Sequence, residues 1–127
     1  MNNRSYNNGM KLDLIKSIEK ILDVASDYTR LKILFSLFIE HNCHDDFCNC
    51  ANCECKICFI EKCVGDIVKE IDCSQSLVSH QLKVLKDAKL IKSRKEGTKV
   101  FYSLADGHIK ILLRVMKEHV LEDVNND

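Results

Sequence analysis

The sequence predicts a mainly α-helical domain carrying one small β-hairpin, and three observations predict it. Apolar residues recur at helical spacing in five separate segments. Two short strand-like runs flank the turn Glu96-Gly97-Thr98. Between the second and third helical segments, residues 41–58 (HNCHDDFCNCANCECKIC) have no usable periodicity and read as an inserted loop.

The elements follow in order. Residues 1–10 are polar and Asn-rich and are expected to form a disordered tail. Leu14, Ile15, Ile18, Ile21, Leu22 and Ala25 then make an amphipathic helix from about Lys11 to Ala25. A second helix, about Tyr28 to Glu40, carries Leu31, Leu34, Leu37 and Phe38 on its apolar side. After the insertion a short helix, Val64 to Ile71, buries Ile67, Val68 and Ile71. Asp72, Cys73 and Ser74 form a tight connection, and Ser74 is a good N-cap for a helix from Gln75 to about Ala88. That helix buries Val78, Leu82 and Leu85. The strands are expected near Leu90–Lys95 and Lys99–Leu104. A last helix begins near Asp106, with Ile109, Leu112, Leu113, Met116 and Val120 on one face. Residues 11–123 therefore read as one domain with an insertion at 41–58, followed by a short C-terminal tail at 124–127.

Composition narrows the function. The chain of 127 residues is 46% hydrophobic and 30% charged, which suits a single globular domain. No apolar run approaches the roughly 20 residues a bilayer requires, and no basic flank leads into an apolar signal core. The expectation is a cytoplasmic protein without a membrane partner. Net charge is zero, from 19 basic and 19 acidic residues, but the charge is unevenly placed. From Ser74 to Tyr102 seven Lys/Arg face two acids, so one surface is positive on a neutral molecule. Eight cysteines without an export signal, most of them in one segment, point to thiolates for metal rather than a disulfide framework.

Two short helices joined by a tight turn and followed by a basic hairpin give the order of a winged helix-turn-helix. A recognition helix enters the major groove N-terminus first, so its first turns must carry groups that hydrogen-bond base edges. Gln75, Ser76, Ser79, His80 and Gln81 supply them, with Ser74 and Lys83 completing the DNA-facing set on this helix. Arg94, Lys95 and Lys99 of the hairpin suit phosphates or the minor groove. The expected partner is double-stranded operator DNA. A nucleophile with a partnered base and a phosphate-binding glycine loop are both missing, so no enzyme is expected.

The stretch CVGDIVKEIDCSQSLVSHQLKVLKDAKLIKSRKEGTKVFYSL resembles the core of the ArsR/SmtB family of bacterial metal-responsive repressors. Upstream, Asp27-Tyr28-Thr29-Arg30-Leu31-Lys32-Ile33-Leu34 is similar to that family's Asp-Pro-x-Arg-x-x-Ile-Leu, with Tyr28 in place of proline. The resemblance covers about residues 11–40 and 61–123. It implies a homodimer built on the first and last helices, each protomer reading half of a palindrome.

Asp106, His108, His119 and Glu122 are the candidate metal ligands of the last helix. His108 and His119 are eleven residues apart, so they share a face yet lie roughly 16 Å apart along the axis. Zinc–ligand bonds of about 2 Å cannot bridge that gap within one chain. Two such helices paired antiparallel would bring Asp106 and His108 of one protomer to His119 and Glu122 of the other, a tetrahedral set suited to Zn²⁺. His119 and Glu122, at i and i+3, can share an ion, whereas Asp106 must sit at the helix cap. The family's last-helix sensor has the same Asp-x-His and His-x-x-Glu pattern at the same interval.

Cys43, Cys48, Cys50, Cys53, Cys55 and Cys58 fall within sixteen residues as CxC and CxxC pairs, a soft-ligand segment for Zn²⁺, Cd²⁺, Pb²⁺ or Cu⁺. The family has no such insertion here. Where some members carry Cys-x-Cys beside the short helix, this chain reads Cys63-Val64-Gly65, so Cys63 alone is kept. The segment's role stays open between a second sensor, a scavenging loop and a structural zinc knuckle. Cys73 reads as a small core residue rather than a ligand. The functional expectation is a repressor that binds its operator metal-free and is released by metal. Two alternatives stand beside it: metal storage or trafficking through the cysteine segment, and a thiol redox-responsive repressor.

Overall fold

The computed structural model describes residues 4–38 and 60–125. Its elements are α1 (Arg4–Ala25), α2 (Tyr28–Ser36), α3 (Val64–Ile71), α4 (Gln75–Asp87), β1 (Ile91–Glu96), β2 (Lys99–Leu104) and α5 (Gly107–Asn125). The order is that of the winged helix-turn-helix expected from the sequence.

Three boundaries differ from expectation. Residues 4–10 are helical rather than a disordered tail. No proline stops the helix there, and extending an existing helix costs far less than nucleating one. At the other end of the chain α5 runs on to Asn125 for the same reason, beyond the tail expected at 124. The second helix instead stops early, at Ser36, because the Lys62 ammonium takes the Ser36 carbonyl (2.5 Å) that another turn would have used.

The core joins every layer. Ile33, Leu34 and Leu37 of the α2 segment meet Ile67 of α3 and Val78, Leu82 and Leu85 of α4. Leu90, Ile91 and Leu104 close it from the hairpin, and Leu113 from α5. The apolar spacing of α4 explains its seat: Val78, Leu82 and Leu85 form one buried stripe, leaving the helix's other face to solvent.

Between α3 and α4, Asp72 turns the chain in the left-handed region (φ 54°). Ser74 then caps α4, its Oγ accepting the Leu77 N–H at 3.3 Å. The far end of α4 closes with two bonds, Leu90 N–H to the Leu85 carbonyl and Lys89 N–H to the Lys86 carbonyl, each 3.0 Å. This is the Schellman pattern, with Lys89 in the left-handed position (φ 63°) where glycine is usual.

β1 and β2 pair antiparallel from Ile91↔Leu104 to Glu96↔Lys99. The two-residue connection puts Gly97 at φ 62°, where a side chain would be strained. Lys62 adds a single bridge on the other side of β2, exchanging backbone hydrogen bonds with Tyr102 (2.9 and 2.8 Å). The segment leading into α3 is therefore fastened to the wing.

Candidate nucleic-acid interface and metal half-sites

At the front of α4, Gln75, Ser76, Ser79, His80 and Lys83 are all exposed, as a base-reading surface requires. Ser74 is exposed beside them while serving as the cap. Gln81 is placed differently. It is half-buried, and its Oε1 accepts from Arg30 Nη1 at 2.8 Å. Arg30 Nε donates in turn to the Val24 carbonyl at the end of α1 (2.5 Å). Gln81 thus ties α4 to α1 and α2 through Arg30.

On the wing, Lys95 and Lys99 lie exposed near the hairpin tip. Arg94 crosses the face of Phe101, its Cζ 5.0 Å from the ring centroid, to reach two carboxylates. Its Nε and Nη2 donate to Glu61 (2.9 and 3.2 Å) and its Nη1 to Glu96 (2.7 Å). The hydrogen bond from Arg94 holds the Glu61 carboxyl below its ordinary range, and the bond to Glu61 raises Arg94 in turn. Sequence reading missed this clamp because Glu61 and Arg94 are 33 positions apart and meet only through the Lys62–Tyr102 bridge.

On α5, Asp106 takes the cap position foreseen for it, Oδ1 accepting the Ile109 N–H at 3.1 Å. His108 Nδ1 stands 3.7 Å from the same oxygen. At the other end His119 Nε2 lies 3.9 Å from Asp123 Oδ2. Two ligands about 2 Å from one tetrahedral ion stand roughly 3.3 Å apart, so each pair fits half of such a site with small side-chain rotations. The carboxylate beside His119 is thus Asp123, which the sequence pattern had not singled out. Glu122, the expected ligand, is exposed next to it. Among the described residues no three His, Cys, Asp or Glu side chains converge on one point, as expected if each helix end contributes only half of a site.

Of the cysteines, Cys63 is half-buried and opens α3, its backbone N–H donating to Asp66 Oδ2 (3.4 Å). Cys73 packs against the core as expected, and its Sγ also accepts from Lys32 Nζ at 3.4 Å. Cys43, Cys48, Cys50, Cys53, Cys55 and Cys58 lie outside the described residues.

The family profile described as "Bacterial regulatory protein, arsR family" matches residues 56–93. A transcriptional repressor SmtB homolog of Synechocystis sp. is 30% identical over 89% of this chain and 70% of that protein. A cadmium resistance transcriptional regulatory protein CadC homolog of Staphylococcus aureus is 34% identical over 84% and 75%. The chain belongs to the ArsR/SmtB family.

The fold agrees with solved ArsR-type and other winged-helix regulators. The homodimeric winged helix-turn-helix domain Mb0332 of Mycobacterium bovis superposes with a TM-score of 0.69 at 20% identity, covering 92% of this chain and 90% of that one. The regulator HlyU of Vibrio vulnificus gives 0.62 at 23%, covering 89% and 96%. As an ArsR/SmtB protein the chain is a DNA-binding transcription regulator, and α3–α4 with the β1–β2 wing is its DNA-binding unit. No described helix is long and apolar enough to cross a membrane.

Proposed function

We propose that this ArsR/SmtB protein is a homodimeric repressor that holds a palindromic operator when metal-free and releases it when metal binds between the last helices. The observation that carries this reading is the layout of α5. Asp106 and His108 sit at one end, and His119, Glu122 and Asp123 sit at the other, roughly 16 Å away. An antiparallel partner helix joins the two halves twice per dimer.

The apolar surface supports the pairing. Leu12, Leu14, Ile15, Ile18 and Leu22 on α1 are between 45% and 62% exposed in the single chain. On α5, Leu112, Val115, Val120 and Leu121 are between 38% and 59% exposed. Both helices contribute to one apolar surface too large for a stable monomer, and a second copy covers it. The names of the SmtB and CadC relatives, a repressor and a cadmium-resistance regulator, agree with metal control.

Zn²⁺ supplies, when bound, a four-coordinate link between the protomers. His108 and His119 provide neutral imidazoles, and Asp106 with Glu122 or Asp123 provides the carboxylates. Holding α5 of both chains in one geometry sets the distance between the two α4 helices. A coupling of about 1–3 kcal/mol then weakens DNA binding about 5- to 150-fold, and DNA weakens metal binding equally. The cysteine segment is a second soft-metal site whose thiolates act as sensor, scavenger or structural knuckle.

The test is a titration of the DNA-bound dimer with Zn²⁺ and with Cd²⁺, repeated with His108→Ala/His119→Ala and with the segment cysteines replaced by serine. Release that survives the histidine changes and fails in the cysteine variant moves the sensor to the cysteine segment. Equal operator affinity with and without metal removes metal control.

A further inference from the structure

Arg94 has the chemistry of a phosphate contact, yet its donors are already engaged. A guanidinium offers one bidentate edge, Nε with Nη2, that matches the two oxygens of a carboxylate or a phosphate. In this wing Glu61 fills that edge at 2.9 and 3.2 Å. Glu96 takes Nη1 at 2.7 Å. Two carboxylates around one guanidinium leave the cluster with a net charge of −1, in the middle of a hairpin otherwise marked by Lys95 and Lys99.

The arrangement is fixed by backbone. Lys62 is fastened to Tyr102 by two hydrogen bonds, which holds Glu61 beside β2 on the face that carries Phe101. Arg94 lies opposite Phe101 in the β1–β2 register and extends across its ring to Glu61. Arg94 itself remains about half exposed, so a phosphate can reach it from solvent. The clamp is a surface ion pair and is weak enough to be exchanged.

We propose that Glu61 is a built-in phosphate mimic: it occupies Arg94 in the free protein and is displaced by a DNA phosphate when the wing docks. Glu61 therefore lowers DNA affinity and tunes its salt dependence, and the wing acquires its full positive charge only on the duplex. This rests on the DNA-binding role of the wing and adds to it a residue that opposes binding.

The opposite role for Glu61 is a buttress that aims Arg94 at the backbone. The two roles predict opposite signs. A mimic removed by Glu61→Gln frees Arg94, so binding tightens; a buttress removed weakens it.

The experiment uses the full chain and mixed-sequence double-stranded DNA, since phosphate contacts are independent of sequence. Affinity is measured from 50 to 200 mM salt for the unsubstituted protein, Glu61→Gln, Arg94→Gln and the double variant. With Glu61→Gln we expect tighter binding at low salt by about 3- to 10-fold and a log–log salt slope steeper by about 0.9, one added phosphate contact. The advantage should shrink about 3.5-fold between 50 and 200 mM salt. In the Arg94→Gln background, Glu61→Gln should change neither affinity nor slope by more than a small fraction of this.

An unchanged or shallower slope with Glu61→Gln overturns the proposal. So does an equal gain with and without Arg94, which would make Glu61 a general repulsive charge. If the unsubstituted protein shows no salt-dependent binding to duplex DNA at all, the DNA-binding role of the wing fails and the proposal fails with it.

Discussion

Arg30 and Gln81 are joined by a 2.8 Å hydrogen bond, and through it the helix that reads DNA is tied to the helix that faces the second protomer. Arg30 spans three elements: it belongs to α2, its Nε holds the Val24 carbonyl of α1, and its Nη1 holds Gln81 of α4. A half-buried guanidinium with two fixed acceptors keeps the angle between α1 and α4 constant.

Arg30→Ala should therefore cost about 2 kcal/mol of folding stability, since a charged hydrogen bond of this kind contributes roughly 1.5–3 kcal/mol. Arg30→Lys should restore little, because one ammonium cannot span both acceptors. Urea unfolding of both variants checks this. A change under about 0.5 kcal/mol for Arg30→Ala would mean that the tether bears no load.

A second expectation concerns assembly. Ile18 lies in the exposed apolar face of α1. Ile18→Glu should leave the fold intact, because the residue makes no core contact in the single chain, yet dissociate the dimer at micromolar concentration. Operator affinity should fall by more than about 100-fold as half-sites come to be read singly. Sedimentation velocity and operator titration read the two effects separately. A dimer that survives the substitution would place the interface elsewhere.

These two cases mark what was legible in the sequence. Helix periodicity located all five helices, and Val78, Leu82 and Leu85 were identifiable as the buried stripe of α4 from spacing alone. Ser74 and Asp106 were readable as caps because a cap is decided by its own next three residues. The α1 face was equally apolar in sequence, but spacing cannot say whether a stripe is buried in its own chain or in another. Gln81 looked like a base reader by position, and only tertiary contact, with Arg30 51 positions away, commits its amide oxygen. Arg94 looked free for DNA until Glu61 was brought beside it by the Lys62–Tyr102 bridge.

The Glu61–Arg94 pair has a pH signature. Arg94 depresses the Glu61 carboxyl below its ordinary 4.5, so the folded protein binds that proton more weakly than the unfolded chain. The pair's contribution is complete above pH 4.5 and disappears as pH falls through the lower, folded-state value. The stability difference between the unsubstituted protein and Glu61→Gln should thus be flat from pH 5 to 8 and shrink below about 4.5. Urea midpoints across that range check it. A difference that persists unchanged at pH 3 would assign the effect to packing rather than charge.

Lys89 sits in the left-handed position that ends α4, with φ 63°. A side chain there costs about 1 kcal/mol that glycine avoids, partly offset by glycine's greater freedom in the unfolded chain. Lys89→Gly should stabilise the domain by up to about 1 kcal/mol. The converse substitution, Gly97→Ala at φ 62°, should destabilise it by about 1 kcal/mol even though the new methyl would meet nothing within 4 Å. Thermal melts of both variants test whether backbone conformation alone decides these positions.

Metal affinity and dimerisation should be inseparable on α5. Asp106 and His108 form one pair, and His119 has its own carboxylate partner in Asp123 3.9 Å away, but neither end offers four ligands. The dissociated Ile18→Glu chain should therefore lose tight Zn²⁺ binding at α5 while keeping every ligand. In a background with the segment cysteines replaced by serine, calorimetry should give two ions per dimer for the otherwise unsubstituted protein and none bound tightly by the monomer. Within the dimer, comparing Glu122→Gln with Asp123→Asn identifies the second carboxylate: the true ligand's loss should weaken Zn²⁺ at least about 10-fold, and the other's much less. Full-strength binding by the monomer would contradict the shared-site arrangement, since the two histidines of one helix are too far apart to hold a single ion.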